Sequence, residues 1–186
     1  MYPTEIEVNG KIYKLDTDFR TAIACFKAIN DKELSNFKRG YAILTLLIDG
    51  HFEISEMNQL LEKCAIYLRC GKHENMTKDK VDINYVKDEA RIRTSIRQCY
   101  YGYDLNKIDY LHWWEYNELI EGLTEETLLS KVREIRNYDL SEEKDLKRRE
   151  KILEMKKQVA LDDEDEEKLT EEEQENVSAF DKAMGL

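Results

Sequence analysis

Cys64, Cys70 and His73 are the residues whose types and spacing come nearest to a metal-ligand set. Zinc sites ordinarily use Cys pairs two to four residues apart, repeated twice. Here five residues separate the thiols, and Cys64 falls on the apolar stripe Met57, Leu60, Leu61, Cys64, Leu68, so core thiols are the better reading. His51, His73 and His112 are the only histidines, and none stands in a recognisable pairing with a serine, cysteine or carboxylate nucleophile. There is no glycine-rich phosphate loop, no Gly-x-Ser-x-Gly elbow and no His-Glu-x-x-His pair. The sequence therefore predicts no catalytic residue, no metal and no cofactor, and an enzyme is not expected.

What remains is the chemistry of contact. Residues 97–123 hold both tryptophans and seven of the eighteen aromatic residues. On a helix, Tyr110, Trp113, Trp114 and Asn117 build one bulky face, with the two indoles pointing about 100° apart. Two readings stand side by side. Either these rings are core against neighbouring helices, because aromatics carry the largest buried areas, or Tyr101, Tyr103, Tyr110, Trp113 and Trp114 include the anchors of a protein partner, because Trp and Tyr dominate interface hot spots.

The elements that must position them can be read from turn and cap signals. Glu5–Val8 and Lys11–Leu15 flank Asn9-Gly10, a pair that tolerates positive φ at both central positions of a type I′ turn, so a hairpin is predicted. Two isolated strands are marginal, so the hairpin must pack on helices. Asp16-Thr17-Asp18 supplies caps for a helix carrying Phe19, Ala22, Ile23, Phe26 and Ile29. A second helix runs from Phe37 to Ile48, stopped by Asp49-Gly50, and a third from a Ser55 cap to Leu68, with Gly71 taking the left-handed closing position. Residues 72–80 read as a loop. Helices are then expected over 81–101, from 107 or 108 to Gly122, from a Thr124 cap to Arg136, and from Ser141 to Leu161.

Charge divides the chain more sharply than its sum suggests. The 186 residues have a net charge of -11 and a mean hydropathy of -0.70. Residues 162–186 hold eleven acids against Lys168 and Lys182, leaving the body nearly neutral. Such a surface argues against nucleic acid, whose binding needs a face of Lys and Arg. No run approaches the ~18 apolar residues of a membrane span, and the first residues show no apolar signal core. Four cysteines in a chain this long do not make a disulfide scaffold, so a reducing cytoplasm is expected. The fold class is mainly α, an N-terminal β-hairpin packed on a bundle of about six to seven helices. Residues 1–140 are expected as the hairpin plus helical domain, 141–161 as a charged projecting helix, and 162–186 as a disordered acidic tail with an apolar end at Ala179-Phe180 and Met184 to Leu186.

The hairpin start, the turn Tyr101-Gly102-Tyr103-Asp104-Leu105, the run Leu111-His112-Trp113-Trp114, the boundary Glu121-Gly122-Leu123-Thr124 and the stretch Lys131-Val132-Arg133-Glu134-Ile135-Arg136 together form an ordered series. Across most of residues 5–137 it resembles the bacteriophage gp-fifteen-like proteins of Gram-positive siphophages and prophages. The resemblance implies a tail assembly chaperone encoded between the major tail protein and the tape measure protein. It would bind the tape measure protein, help recruit major tail tube subunits, act in the cytoplasm of the infected or lysogenic host, and be absent from the mature virion. The rival expectation is a structural tail or neck component retained in the virion. Apolar faces of the helices expected over 81–101, 107–121 and 124–137 would mask the partner, and an exposed stripe would also allow a homo-oligomer. The acidic tail would either solubilise the complex or compete for a basic surface.

Overall fold

The computed structural model of the chain describes residues 1–72, 82–141, 143 and 145–161. The expected loop over 72–80 lies outside them except for Lys72, and the expected acidic tail over 162–186 lies outside them altogether. The fold is mainly α, with one two-stranded sheet and seven α-helices among the described residues. The residues expected as one body over 1–140 fall into two compact units. One is built from residues 1–72 and 109–118, the other from 82–108 and 119–161.

The first unit opens with the hairpin, β1 (Glu5–Val8) and β2 (Lys11–Lys14), antiparallel with Glu5 opposite Lys14 and Val8 opposite Lys11. Asn9 at φ 52° and Gly10 at φ 77° make the turn that their types demand. Val8 and Tyr13 face the core while Ile12 faces out. Tyr13 turns inward because its hydroxyl donates to Glu56 at 2.5 Å, and Asn9 and Lys11 donate to the same carboxylate at 3.2 and 3.1 Å. One buried carboxylate thus holds the hairpin against the helices, and these three donors hold it below the usual carboxylate range.

α1 (Phe19–Ile29) starts where Asp18 accepts the Arg20 amide, and α2 (Asn36–Leu47) where Ser35 accepts the Lys38 amide. α3 (Met57–Leu68) follows a single 3-10 turn, Ile54–Glu56, so Ser55 lies inside that turn and is not the cap expected of it. Ala22, Ile23 and Cys25 of α1, Ile43, Leu44 and Leu47 of α2, and Leu60, Cys64 and Leu68 of α3 form the core. α2 and α3 approach closely at Gly40, where an added Cβ would lie 2.8 Å from Leu61 Cδ1 and 2.9 Å from Met57 Cε. α3 closes with paired bonds, Gly71 N–H to Ile66 O and Cys70 N–H to Tyr67 O. The left-handed backbone begins one residue earlier than expected, at Cys70 (φ 54°), and continues through Gly71 (φ 74°).

In the second unit the helix expected over 81–101 is much shorter, α4 (Glu89–Cys99). Asn84 Oδ1 accepts the Val86 and Lys87 amides, and Asp88 Oδ2 accepts the Asn84 amide. These local bonds satisfy the backbone in a turn and displace a helical start. α6 (Leu128–Asn137) begins after Thr127, not Thr124, because the Thr127 hydroxyl accepts the Ser130 amide while Thr124 O anchors the turn before it. α7 (Leu146–Gln158) is capped by Asp145 rather than opening at Ser141. Nor does it project. Ile152 is buried, Arg136 Nε donates to Val159 O at 2.6 Å, and Lys156 Nζ donates to Arg136 O at 3.0 Å. The intervening helix, α5 (Trp113–Glu121), begins in the first unit and ends in the second.

Candidate functional site

The tryptophan pair lies where α3 ends and α5 begins. α5 starts at Trp113, not at residue 107 or 108, because the residues before it run extended beside the start of α1. Phe19 N–H donates to Leu111 O at 2.9 Å, and Trp113 N–H to Thr17 O at 2.8 Å. Those backbone bonds replace the helical ones that periodicity alone would assign. Tyr110 is thereby removed from the helical face it was expected to share with Trp113 and Trp114.

His112 caps α5. Its Nδ1 accepts the Trp114 N–H at 3.0 Å, which requires a lone pair there, so the proton sits on Nε2 and is donated to Pro3 O at 3.0 Å. The imidazole also stacks on Tyr2, centroids 4.8 Å apart. With both ring nitrogens bonded to backbone, His112 has a structural task.

The two indoles do related work. Trp113 Nε1 donates to Leu68 O at 2.9 Å, and Trp114 Nε1 to Tyr67 O at 3.0 Å. Adjacent tryptophans thus satisfy adjacent carbonyls of the last turn of α3. Trp113 is fully buried, 5.7 Å from the rings of Phe26 and Tyr116. Trp114 is half-buried and lies over Gly71, its Cη2 3.1 Å from where a Cβ would stand. The core reading of the pair therefore holds for Trp113, which has no surface to offer a partner.

The other candidate anchors differ. Tyr101 is fully exposed in a turn completed by Gly102 at φ 80°. Tyr103 is half-buried, edge-on to Tyr100, whose hydroxyl donates to Leu119 O. Tyr110 is exposed, with its hydroxyl 2.6 Å from Thr17 Oγ1. The five candidates are divided between the units, Tyr101 and Tyr103 in the second, Tyr110, Trp113 and Trp114 in the first.

Two sites escaped the sequence reading. The first is an aromatic row: exposed Phe37 stacks on exposed Tyr41 at 6.4 Å, and Tyr41 meets half-buried Phe52 at 5.6 Å. Its signal was present in the spacing, since Phe37 and Tyr41 stand four apart and out of phase with Ile43 and Leu47. The second is the buried Asp88, which accepts from Arg136 Nη1 and Nη2 at 2.7 and 2.9 Å, Arg91 Nη1 at 2.7 Å and the Asn84 amide at 3.0 Å. Burial pushes this carboxyl up, but the hydrogen bonds from Arg136, Asn84 and Arg91 together outweigh it, leaving it below the usual range. Four donors on two oxygens make a clasp between α4, α6 and the turn before α4.

Of the metal candidates, Cys64 is buried and its thiol is pushed up to about 12 by that burial, which opposes the thiolate a metal needs. Cys70 sits in the left-handed turn, and His73 lies outside the described residues. Among the described residues no group of three or more His, Cys, Asp or Glu side chains is placed to hold a metal ion, and no helix is long and apolar enough to cross a membrane.

Residues 2–161 match the family model described as Bacteriophage Gp15 protein. No curated protein and no solved structure matches the chain.

Proposed function

Because the chain belongs to the bacteriophage Gp15 protein family, we propose that this phage protein is a tail assembly chaperone that grips the tape measure protein and helps bring major tail tube subunits to it. The observation that carries the reading is the aromatic row of exposed Phe37 and Tyr41 with half-buried Phe52 on a highly charged chain. Contiguous exposed rings are uncommon on a body with no companion, and aromatic side chains bind at low cost in conformational entropy. A long apolar helical partner would lay its stripe against such a row while the charged remainder keeps the complex dissolved. Tyr101 offers a second contact on the other unit. Recognition of this kind makes no bond, so the protein is no enzyme and takes no cofactor. It works in the host cytoplasm and leaves before the virion is complete.

Co-expression with the tape measure protein tests this. The wild-type chain should keep that protein soluble. Phe37→Ser with Tyr41→Ser, exposed positions whose exchange should leave far-ultraviolet circular dichroism unchanged, should lower its soluble fraction several-fold. Mass spectrometry of purified particles gives the opposing outcome: stoichiometric amounts of this chain would replace the chaperone reading with a structural tail or neck component.

A further inference from the structure

We propose that the second unit carries a docking surface of its own, formed by Arg93 and Arg97 of α4 and Lys107 of the turn that follows it, which takes an acidic segment of a protein partner. None of its residues belongs to the aromatic row of α2, and its test involves neither that row nor the tape measure protein, so either reading can fail alone.

The first observation is how the cations are held. Arg93 and Arg97 stand four apart on α4 and are therefore neighbours on one side of it. Beyond α4, Tyr103 N–H donates to Tyr100 O at 3.0 Å and Gly102 takes φ 80°, which turns the chain back along the helix. Arg97 Nη2 then donates to Asp104 Oδ1 at 3.0 Å, and Arg93 Nη1 to Asn106 Oδ1 at 3.3 Å. Asn106 N–H also donates to Asp104 Oδ1, at 3.1 Å, and with Arg97 it keeps that carboxyl below the usual range. A guanidinium carries five N–H donors in a rigid fork. These bonds engage one donor of each arginine, which fixes the fork and leaves it able to meet a further carboxylate.

The second observation is charge. Lys107 is exposed and Arg93 faces a neutral carboxamide, so the single carboxylate of Asp104 stands among three cations. Glu89 lies one helical turn before Arg93, at the start of α4, and is not paired with it. The turn over 124–126 meets α4 at Cys99, about 200° around the helix from Arg97, and its Glu126 is taken by Lys131 at 3.0 Å. Positive charge is thus left over locally on a chain whose net charge is -11, and what complements it is an acid. A long phosphate polymer would meet the repulsive field of the whole chain, whereas a few carboxylates on a protein segment meet the cations alone. Tyr101, fully exposed at the head of the same turn, offers a ring on which an apolar side chain of that segment can rest.

A short dye-labelled peptide of Glu and Asp with leucine at every fourth position, titrated with the full-length chain in fluorescence anisotropy, tests the surface. The wild-type chain should bind it. Lys107→Glu, an exposed change that spares the core, should weaken binding about fivefold or more, and Lys107→Arg should keep it. Lys147→Glu, the same change of charge at an exposed position of α7, should leave the affinity within about twofold of wild type. Equal weakening by Lys147→Glu, or no binding of the peptide by the wild-type chain, would overturn the proposal. Tighter binding of a single-stranded oligothymidylate than of the peptide would overturn it in favour of a nucleic acid. A wild-type dimer that Lys107→Glu disperses in sedimentation would overturn it in favour of a second copy.

Discussion

Asp88 and Arg136 show what a single buried pair does when every donor is placed. The Asp88 side chain is fully buried and that of Arg136 is 8% exposed. Removing the cation leaves a carboxylate out of water with most of its compensation gone, so Arg136→Ala should destabilise the chain by about 3–5 kcal/mol. Arg136→Lys should recover only part, because an ammonium cannot donate bidentately while also reaching Val159 O. Denaturant midpoints measure both. Acid acts on the same pair. The folded-state value of Asp88 lies below its ordinary one, about 3.9, so its stabilisation is complete above that value and disappears as pH falls through the lower folded value. Stability attributable to this group should be flat from pH 7 to about 5 and decline below 4. Asp88→Asn should flatten that decline.

Among the elements, the contact of α2 with α3 depends on one absent side chain. At Gly40 the atoms that a Cβ would meet are the ends of Leu61 and Met57, which can swing aside. Alanine also favours helix by about 1 kcal/mol over glycine. Gly40→Ala should therefore stay within about 1 kcal/mol of wild type. Gly40→Leu, whose extra carbons have no such escape, should cost about 2–3 kcal/mol in thermal or denaturant melts. Boundaries of other elements show why some were legible and others were not. Asn9-Gly10 and Asp18 act through their own backbone, so their positions follow from residue type. Thr124 and Thr127 are chemically the same cap, and Thr127 is chosen because it is fully buried and Ser95 Oγ accepts the Leu129 amide beside it. Val81 to Tyr101 keeps a helical period, yet Asn84 and Asp88 stop the helix with side-chain bonds that periodicity ignores.

At the scale of the whole molecule, two cores are folded from an interleaved chain. Ile43, Leu60, Leu68 and Trp113 belong to one, and Ile92, Ile96, Leu129 and Ile152 to the other. Stability should then be partitioned. In native-state hydrogen exchange, Trp113→Phe, which leaves the Leu68 carbonyl without its indole donor, should speed exchange in α1, α2 and α3 most. Arg136→Ala should speed it in α4, α6 and α7 most. Equal acceleration everywhere in both variants would mean a single cooperative core.

Local chemistry determined a good deal: the hairpin, the three helices that follow it, the mainly α class and the concentration of aromatics near residue 113 each rest on interactions between residues close in sequence. Pairings between distant residues were decided only by the tertiary structure. Trp113 and Trp114 became donors to Leu68 and Tyr67 because α3 ends beside α5. Tyr110 left its helix because residue 111 pairs with residue 19. An exposed ring and a buried one carry the same letter, and the difference lies in which backbone groups elsewhere in the chain remain to be satisfied.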